Sequence, residues 1–232
     1  LRTAAWQAGN EDPTRPINST ARPFLPARPN LESLREAARA CRGCPLYKNA
    51  TQTVFGQGRP SARIVLVGEQ PGHEEDRQGT PFVGPAGRVL DEGLRAAGID
   101  REATYVTNVV KHFKWVLRGR RRLHQKPNAA EVSACLPWLE HEIELIEPHV
   151  LVCLGATAAQ ALLGKSFRVT AQRGQLVASP LADRAIATVH PSSILRQRTP
   201  EDREREMERF TADLTLVARW LDDTPSPGRR SG

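Results

Sequence analysis

The stretch "ARIVLVGEQPG", Ala62 to Gly72, decides how this chain folds. Four aliphatic residues in a row, Ile64 to Val67, are too few for a helix and suit a short strand buried on both faces. The Gly-Pro loop that follows ends it. A strand with two buried faces belongs to a mainly parallel sheet covered by helices. The rest of the chain repeats the alternation. "ESLREAARAC" precedes as an amphipathic helix, and "AGRVLDEGLRAAGI" follows as a helix closed by Gly98. "TYVTNVVK", "HVLVCLG" and "RAIATVHPS" read as three more strands. Between and after them come helices in "NAAEVSACLPWLEHEIELI", capped by Asn128, in "ATAAQALLG", and in "PEDREREMERFTADLTLVARWL", opening at Pro200. The expectation is an α/β fold, a three-layer α/β/α sandwich around a central, mainly parallel, four-stranded sheet. Such sheets bind ligands beyond the carboxyl ends of their strands. Glu69, Asn108 and His190 each lie just past a strand, so they should gather on one edge.

Outside this body the signals change. Residues 1–30 are rich in Pro, Arg, Asn and Thr without periodicity, which predicts a flexible arm or linker. Residues 31–222 form the expected domain, and residues 223–232 a disordered tail. The chain does not begin with methionine, which reads as a piece of a longer protein. No apolar run reaches the roughly 18 residues of a membrane span, and no signal peptide opens the chain. The cytoplasm, in association with the nucleoid, is therefore the expected compartment, and a monomer the expected state. The 232 residues are 39% hydrophobic and 25% charged, which excludes a disordered chain. The net charge of +7 points to a polyanionic partner such as nucleic acid.

Three local patterns carry chemistry. Cys41 and Cys44 in "CRGC", with Cys135 and Cys153, supply four soft thiolates suited to a structural zinc or an iron–sulfur cluster. Buried single thiols are the alternative for Cys135 and Cys153. The spacing is not that of a compact zinc finger, which favours a cluster tying the first helix to the sheet. The second pattern, "GEQPGHEEDRQGTPFVGPAGR", crowds glycines around Glu69, Gln70 and Phe82 without meeting the spacing of a phosphate-binding loop. The third, "GRRRLHQKP", sets Arg120, Arg121 and Arg122 just ahead of His124. Taken alone it reads as a basic surface loop.

Together, "GEQPG", "PFVGPAG", "VTNVVKHFK", "HPSSILR" and the four cysteines resemble the iron–sulfur uracil-DNA glycosylases of the family 4-like branch. The inserted "GRRRLH" narrows the resemblance to the UdgX type, over about residues 32–221. The resemblance implies a 4Fe–4S cluster on Cys41, Cys44, Cys135 and Cys153, and uracil in DNA, taken single-stranded, as partner. It implies that the nucleotide is flipped out and its base excised. Phe82 would stack on uracil, and Asn108 would read its edge. His190 would donate to the departing base, with Gln70 orienting it or offering a backbone amide. Ser192, Ser193 and Arg196 would grip flanking phosphates. His124 would add to C1′ of the sugar, leaving a covalent adduct after one turnover. Glu69 would fix its tautomer and stabilise the imidazolium. The three arginines would pin the loop to phosphates, and a cationic neighbourhood would keep His124 unprotonated. Three departures stand out: His73 where an acidic residue is usual, Arg120 at a position often lysine, and Leu123 in place of isoleucine. The rival readings are a hydrolytic glycosylase with turnover and a non-catalytic DNA-binding module.

Overall fold

A computed structural model describes residues 20–224. Its strands are β1 (Gln57–Gly58), β2 (Ile64–Gly68), β3 (Tyr105–Asn108), β4 (Trp115–Arg118), β5 (Arg121–His124), β6 (Val150–Leu154), β7 (Val177–Ala178) and β8 (Arg184–Thr188). The α-helices are α1 (Leu31–Ala38), α2 (His73–Gln78), α3 (Pro85–Ala96), α4 (Ala129–Ile146), α5 (Ala156–Leu163), α6 (Val169–Gln172), α7 (Pro191–Leu195) and α8 (Pro200–Asp223). The main sheet runs β1-β3-β2-β6-β8-β7. Its four inner strands are parallel, with Val65 opposite Tyr105 on one side and Leu151 on the other.

Side chains alternate across these strands, and each set has its own helices. Val65, Val67, Leu151, Cys153, Ala185 and Ala187 pack towards Leu34 of α1, Trp138 of α4 and Ala158 of α5. Ile64, Leu66, Val150, Val152 and Ile186 pack towards Leu90 of α3 and Phe210 and Leu214 of α8. A period of two that is apolar in both phases is the mark of a strand buried on both faces. The three-layer sandwich follows from it.

The expected sheet of four strands is corrected to six. The additions are two-residue edge strands, β1 and β7, each antiparallel to its neighbour. A larger difference is the basic segment, which is a β-hairpin and not a loop. Trp115 pairs with His124 and Arg118 with Arg121, so Gly119 and Arg120 make a two-residue turn. Gly119 has φ +61°, the conformation that the first position of such a turn demands. Of the segment expected to be an arm, residues 20–30 join the domain: Ala21 is fully buried and its amide donates to the Ala134 carbonyl at 2.8 Å. The remainder of that arm, residues 1–19, and residues 225–232 of the expected tail lie outside the described residues.

One polar cluster sits inside the layer between the sheet and α4. Lys111, fully buried, donates to Glu142 Oε2 at 2.5 Å, Thr107 Oγ1 at 2.7 Å and the Asn108 carbonyl at 2.7 Å. Glu142 also accepts from the Tyr105 hydroxyl at 2.8 Å and the Gly56 amide at 3.0 Å. Removing one partner strands the other charge without solvent, at a cost of about 3–5 kcal/mol. Lys111→Met is therefore expected to lower stability by that amount in urea unfolding, and Lys111→Met with Glu142→Gln, which removes the stranded charge and keeps an oxygen for Tyr105 and Gly56, to recover part of it. Equal losses in both variants would contradict this account.

Candidate active site

The carboxyl ends of β2, β3, β6 and β8 open into a cavity of about 710 Å³. Glu69 and His190 line it from the loops after β2 and β8, Asn108 from the end of β3, Thr157 from the start of α5, and His124 closes one side from β5. A larger groove, about 1170 Å³, runs between α3 and α8 and holds none of these strand-end side chains.

The base of the cavity depends on missing side chains. A Cβ on Gly68 would lie 2.4 Å from Asn108 Oδ1 and 2.7 Å from the Phe82 ring. One on Gly87 would lie 1.7 Å from the Phe82 carbonyl. Phe82 itself has φ 56°, a left-handed conformation rare for a bulky residue and held here by its surroundings. Asn108 is 2% exposed, and its Oδ1 is buried with no hydrogen-bond partner. An orphaned acceptor facing a cavity is costly unless a ligand supplies the donor.

His190 caps α7. Its Nδ1 accepts the Ser192 amide at 3.2 Å and lies 2.8 Å from Ser192 Oγ. With Nδ1 as acceptor, a neutral ring carries its proton on Nε2. Burial, then Arg196 and His124, hold His190 down to about 4, so the ring is neutral near pH 7. Its ring centre is 6.0 Å from that of Phe82. The Ser193 hydroxyl is spent on the His190 carbonyl, 2.7 Å away, and Arg196 donates to Ser192 Oγ at 2.9 Å.

Gln70 does not touch His190, which corrects one expected role. Its Nε2 donates to the carbonyls of Lys114 (3.2 Å) and Gln125 (3.0 Å), and its Oε1 accepts the Lys114 amide at 3.1 Å. Gln70 thus clips the two feet of the hairpin together. Lys114 also pairs with Glu131 at 2.8 Å, at the capped start of α4.

Alternation sorts the hairpin's residues. Trp115, Arg122 and His124 share the face turned to the body. Arg122 donates to Asp76 Oδ2 at 2.6 Å, to His73 Nδ1 at 3.0 Å and to Thr51 Oγ1 at 3.1 Å, and it lies over the rings of Phe113 and Trp115. The expectation that all three arginines reach phosphates is therefore corrected for Arg122, whose Nε and Nη1 are spent on partners within the protein. Arg120 stands on the turn, and Arg121 on the outer face opposite Arg118. Neither Arg118, Arg120 nor Arg121 has an ion-pair partner among the described residues. Like charges directly opposed across a hairpin destabilise it. Val116 and Leu123 form an exposed aliphatic pair beside them. Sequence reasoning missed Arg118, Asp76 and Thr157; the Trp-Val-Leu run before Gly119 was the available signal of a strand.

His124 is half exposed, with Nε2 3.5 Å from Glu69 Oε1. That is near enough for attraction but too long for the expected tautomer-fixing hydrogen bond. Glu69 is held instead by the Thr157 hydroxyl, which donates to its other oxygen. Burial lowers the pKa of His124, Glu69 raises it and Arg196 lowers it, with a net downward shift. The cation that discourages protonation is thus Arg196, not the arginine run.

All four cysteines are buried and none is in a disulfide. Cys41 Sγ accepts from Trp138 Nε1 at 3.3 Å, and Cys135 Sγ from the Lys111 amide at 3.2 Å. Cys135 and Cys44 are both pushed up, mainly by burial, with Cys41 contributing in each case. Cys153 is raised to about 12 by burial alone, so it stands electrically apart from the other three. Among the described residues no three His, Cys, Asp or Glu side chains form a group able to hold a metal ion. No helix of the described residues is long and apolar enough to cross a membrane. The donor set still fits a cluster in kind: four soft ligands, with N–H groups aimed at two of the sulfurs.

The clip predicts a local effect. Gln70→Leu leaves the Lys114 amide and the Gln125 carbonyl without partners, each worth about 1–3 kcal/mol, while the Lys114 carbonyl keeps the Gln125 amide. Amide hydrogen exchange across residues 114–125 should rise at least tenfold while the sheet strands keep their protection. Unchanged exchange would refute the clip.

Residues 55–215 match the uracil DNA glycosylase superfamily. The chain is 42% identical to the Type-4 uracil-DNA glycosylase of Thermotoga maritima, over 77% of this chain and 90% of that one. It is 36% identical to the Type-4 uracil-DNA glycosylase of Archaeoglobus fulgidus, over 78% and 92%. The Type-5 uracil-DNA glycosylase of Thermus thermophilus is 36% identical over a shorter span, 58% and 65%.

Proposed function

The chain belongs to the uracil DNA glycosylase superfamily, and from that premise we propose that it binds uracil in DNA, flips the nucleotide into the cavity and excises the base. One observation carries the reading most: the buried, unpartnered Asn108 Oδ1 beside Phe82 and the neutral His190. Uracil N3–H supplies the donor that this oxygen lacks, and the Asn108 amide group donates to uracil O4. Cytosine presents the reverse pattern and is turned away. Phe82 stacks on the base. As the N-glycosidic bond breaks, its electron pair leaves with uracil, and His190 Nε2–H donates to the oxygen that gains charge. Removing such a donor typically costs about 2.7–4 kcal/mol of barrier.

The sugar keeps the positive charge at C1′. In this reading the unprotonated nitrogen of His124 bonds to that carbon, and Glu69 steadies the resulting imidazolium. The adduct ends the reaction after one turnover, as in the UdgX type. Arg120, Arg121 and Arg118 meet phosphates of a single-stranded substrate, Val116 and Leu123 rest on its bases, and Arg196 takes a flanking phosphate. Residues 20–224 act as one unit, a monomer in the nucleoid-associated cytoplasm. Cys41, Cys44, Cys135 and Cys153 would hold a 4Fe–4S cluster, as four buried soft thiolates with N–H groups directed at two of them suit it. Such a cluster supplies a structural brace between the turn after α1, α4 and β6.

Uracil-containing single-stranded oligonucleotide mixed with the protein should give a shifted band that survives heat and detergent. A free abasic strand with multiple turnovers and no shift would establish hydrolysis instead. Salt-sensitive binding that ignores uracil would establish a DNA-binding module. His124→Gly should lose the shifted band and gain turnover, as water enters the vacated space. Protein purified without oxygen should absorb in the visible region, and Cys41→Ser should lose that absorbance together with thermal stability; colourless, zinc-containing protein would reject the cluster.

A further inference from the structure

We infer that His73 is a positioning residue: its neutral ring, through Nδ1, holds Arg122 and with it the strand that presents His124, and protonation of that ring loosens the hold. His73 is the first residue of α2, and Arg122 Nε donates to its Nδ1 at 3.0 Å. A nitrogen that accepts carries no proton, so the neutral ring bears its hydrogen on Nε2, on the side of Glu74 Oε1, 3.9 Å away. Adding a second proton removes the acceptor and sets an imidazolium against a guanidinium.

The charged groups around this contact are few. From α2 come Glu74, itself 4.0 Å from Arg77, and Asp76, whose Oδ2 lies 2.6 Å from Arg122. Glu75 is occupied by the amides of Gly72 and Gly84. The hairpin side brings Arg122, with His124 and Lys126 on the same cavity, and Glu69, His190 and Arg196 complete its rim. Asp76 is not free to replace His73, because its oxygens already accept from the Thr51 amide and hydroxyl and from the other end of the guanidinium. Acid therefore weakens one of Arg122's anchors while the ion pair with Asp76 remains. Arg122 and His124 lie two apart on β5, on one face, so slack at the first is passed to the second.

The activity readout of this inference rests on the proposed role of His124; the anchoring itself does not. Amide hydrogen exchange over residues 115–124 is compared at pH 8 and pH 5.5 for the unaltered protein, His73→Asn and His73→Leu, each normalised to the β6 amides. The Asn side-chain oxygen can take the place of Nδ1 and does not titrate. The expected result is hairpin exchange that rises roughly tenfold on acidification in the unaltered protein, stays low at both pH values in His73→Asn, and is high at both in His73→Leu. Identical pH responses in all three proteins, or full protection in His73→Leu, would overturn the inference. The adduct rate gives a second reading. The unaltered protein should lose rate between pH 8 and pH 5.5. In His73→Asn the loss should move to the lower pH at which His124, held below the ordinary histidine value by burial, takes a proton. An absent adduct with the expected exchange pattern would dismiss the proposed chemistry and leave the anchoring role standing.

Discussion

The buried pair of Lys111 and Glu142 is the interaction on which the site most depends. Two charges without solvent are unfavourable unless each finds further partners. Glu142 takes them from Tyr105, Thr107 and Gly56, and Lys111 gives its remaining proton to the Asn108 carbonyl. The pair therefore welds the end of β3 to α4 at the residue whose amide lies under the cavity. The Lys111 backbone amide then reaches Cys135 on α4. One turn of chain thus joins the floor of the cavity to the cysteine layer, and a disturbance of either is felt at the other.

Above that floor the hairpin is held at three places by different means. Gln70 closes its feet with backbone bonds, Trp115 Nε1 donates to the Asn49 carbonyl at 2.9 Å, and Arg122 sinks into Asp76. Asp76 is fully buried, so its bond to Arg122 is stronger than an exposed ion pair of the same length. The turn beyond these anchors carries Arg118, Arg120 and Arg121 with no ion-pair partner among the described residues, a cluster of like charge suited to a polyanion. On the inner face Arg122 anchors the strand and His124 lines the cavity, while Arg121 stands on the outer face.

The central strands were legible because each is apolar in both phases, and the loops after them follow from the parallel topology. The edge strands were not, since two residues show no period. The hairpin was hidden by its composition: a run of arginines reads as solvated loop, although Gly119 after Trp115, Val116 and Leu117 marks a turn. Once that turn is known, alternation alone separates Arg121 from Arg122. Gln70 was misjudged because its partners are backbone carbonyls, which leave no trace in residue identity. For the cysteines, "CRGC" places two thiols together, but the placing of Cys135 and Cys153 depends on the packing of α4 against β6. All four thiols share one buried layer, with Cys135 beside the Lys111 amide.

The electrostatics of the cavity divide along the bond it is proposed to break. Cleavage puts negative charge on the base and positive charge on the sugar, so no single field favours both. Arg196 depresses the protonation of both His190 and His124, and burial does more in each case. On the base side this leaves a neutral donor near a cation, suited to an oxygen gaining negative charge. On the other side Glu69 is the carboxylate near His124, tethered by Thr157 away from the base-reading residues. A charged His190 would hold the departing uracil more strongly but would oppose the cation at C1′; keeping it neutral serves both halves of the bond. Glu69 follows β2 and Arg196 the short helix after β8, strands that β6 separates, and the two act on His124 with opposite sign.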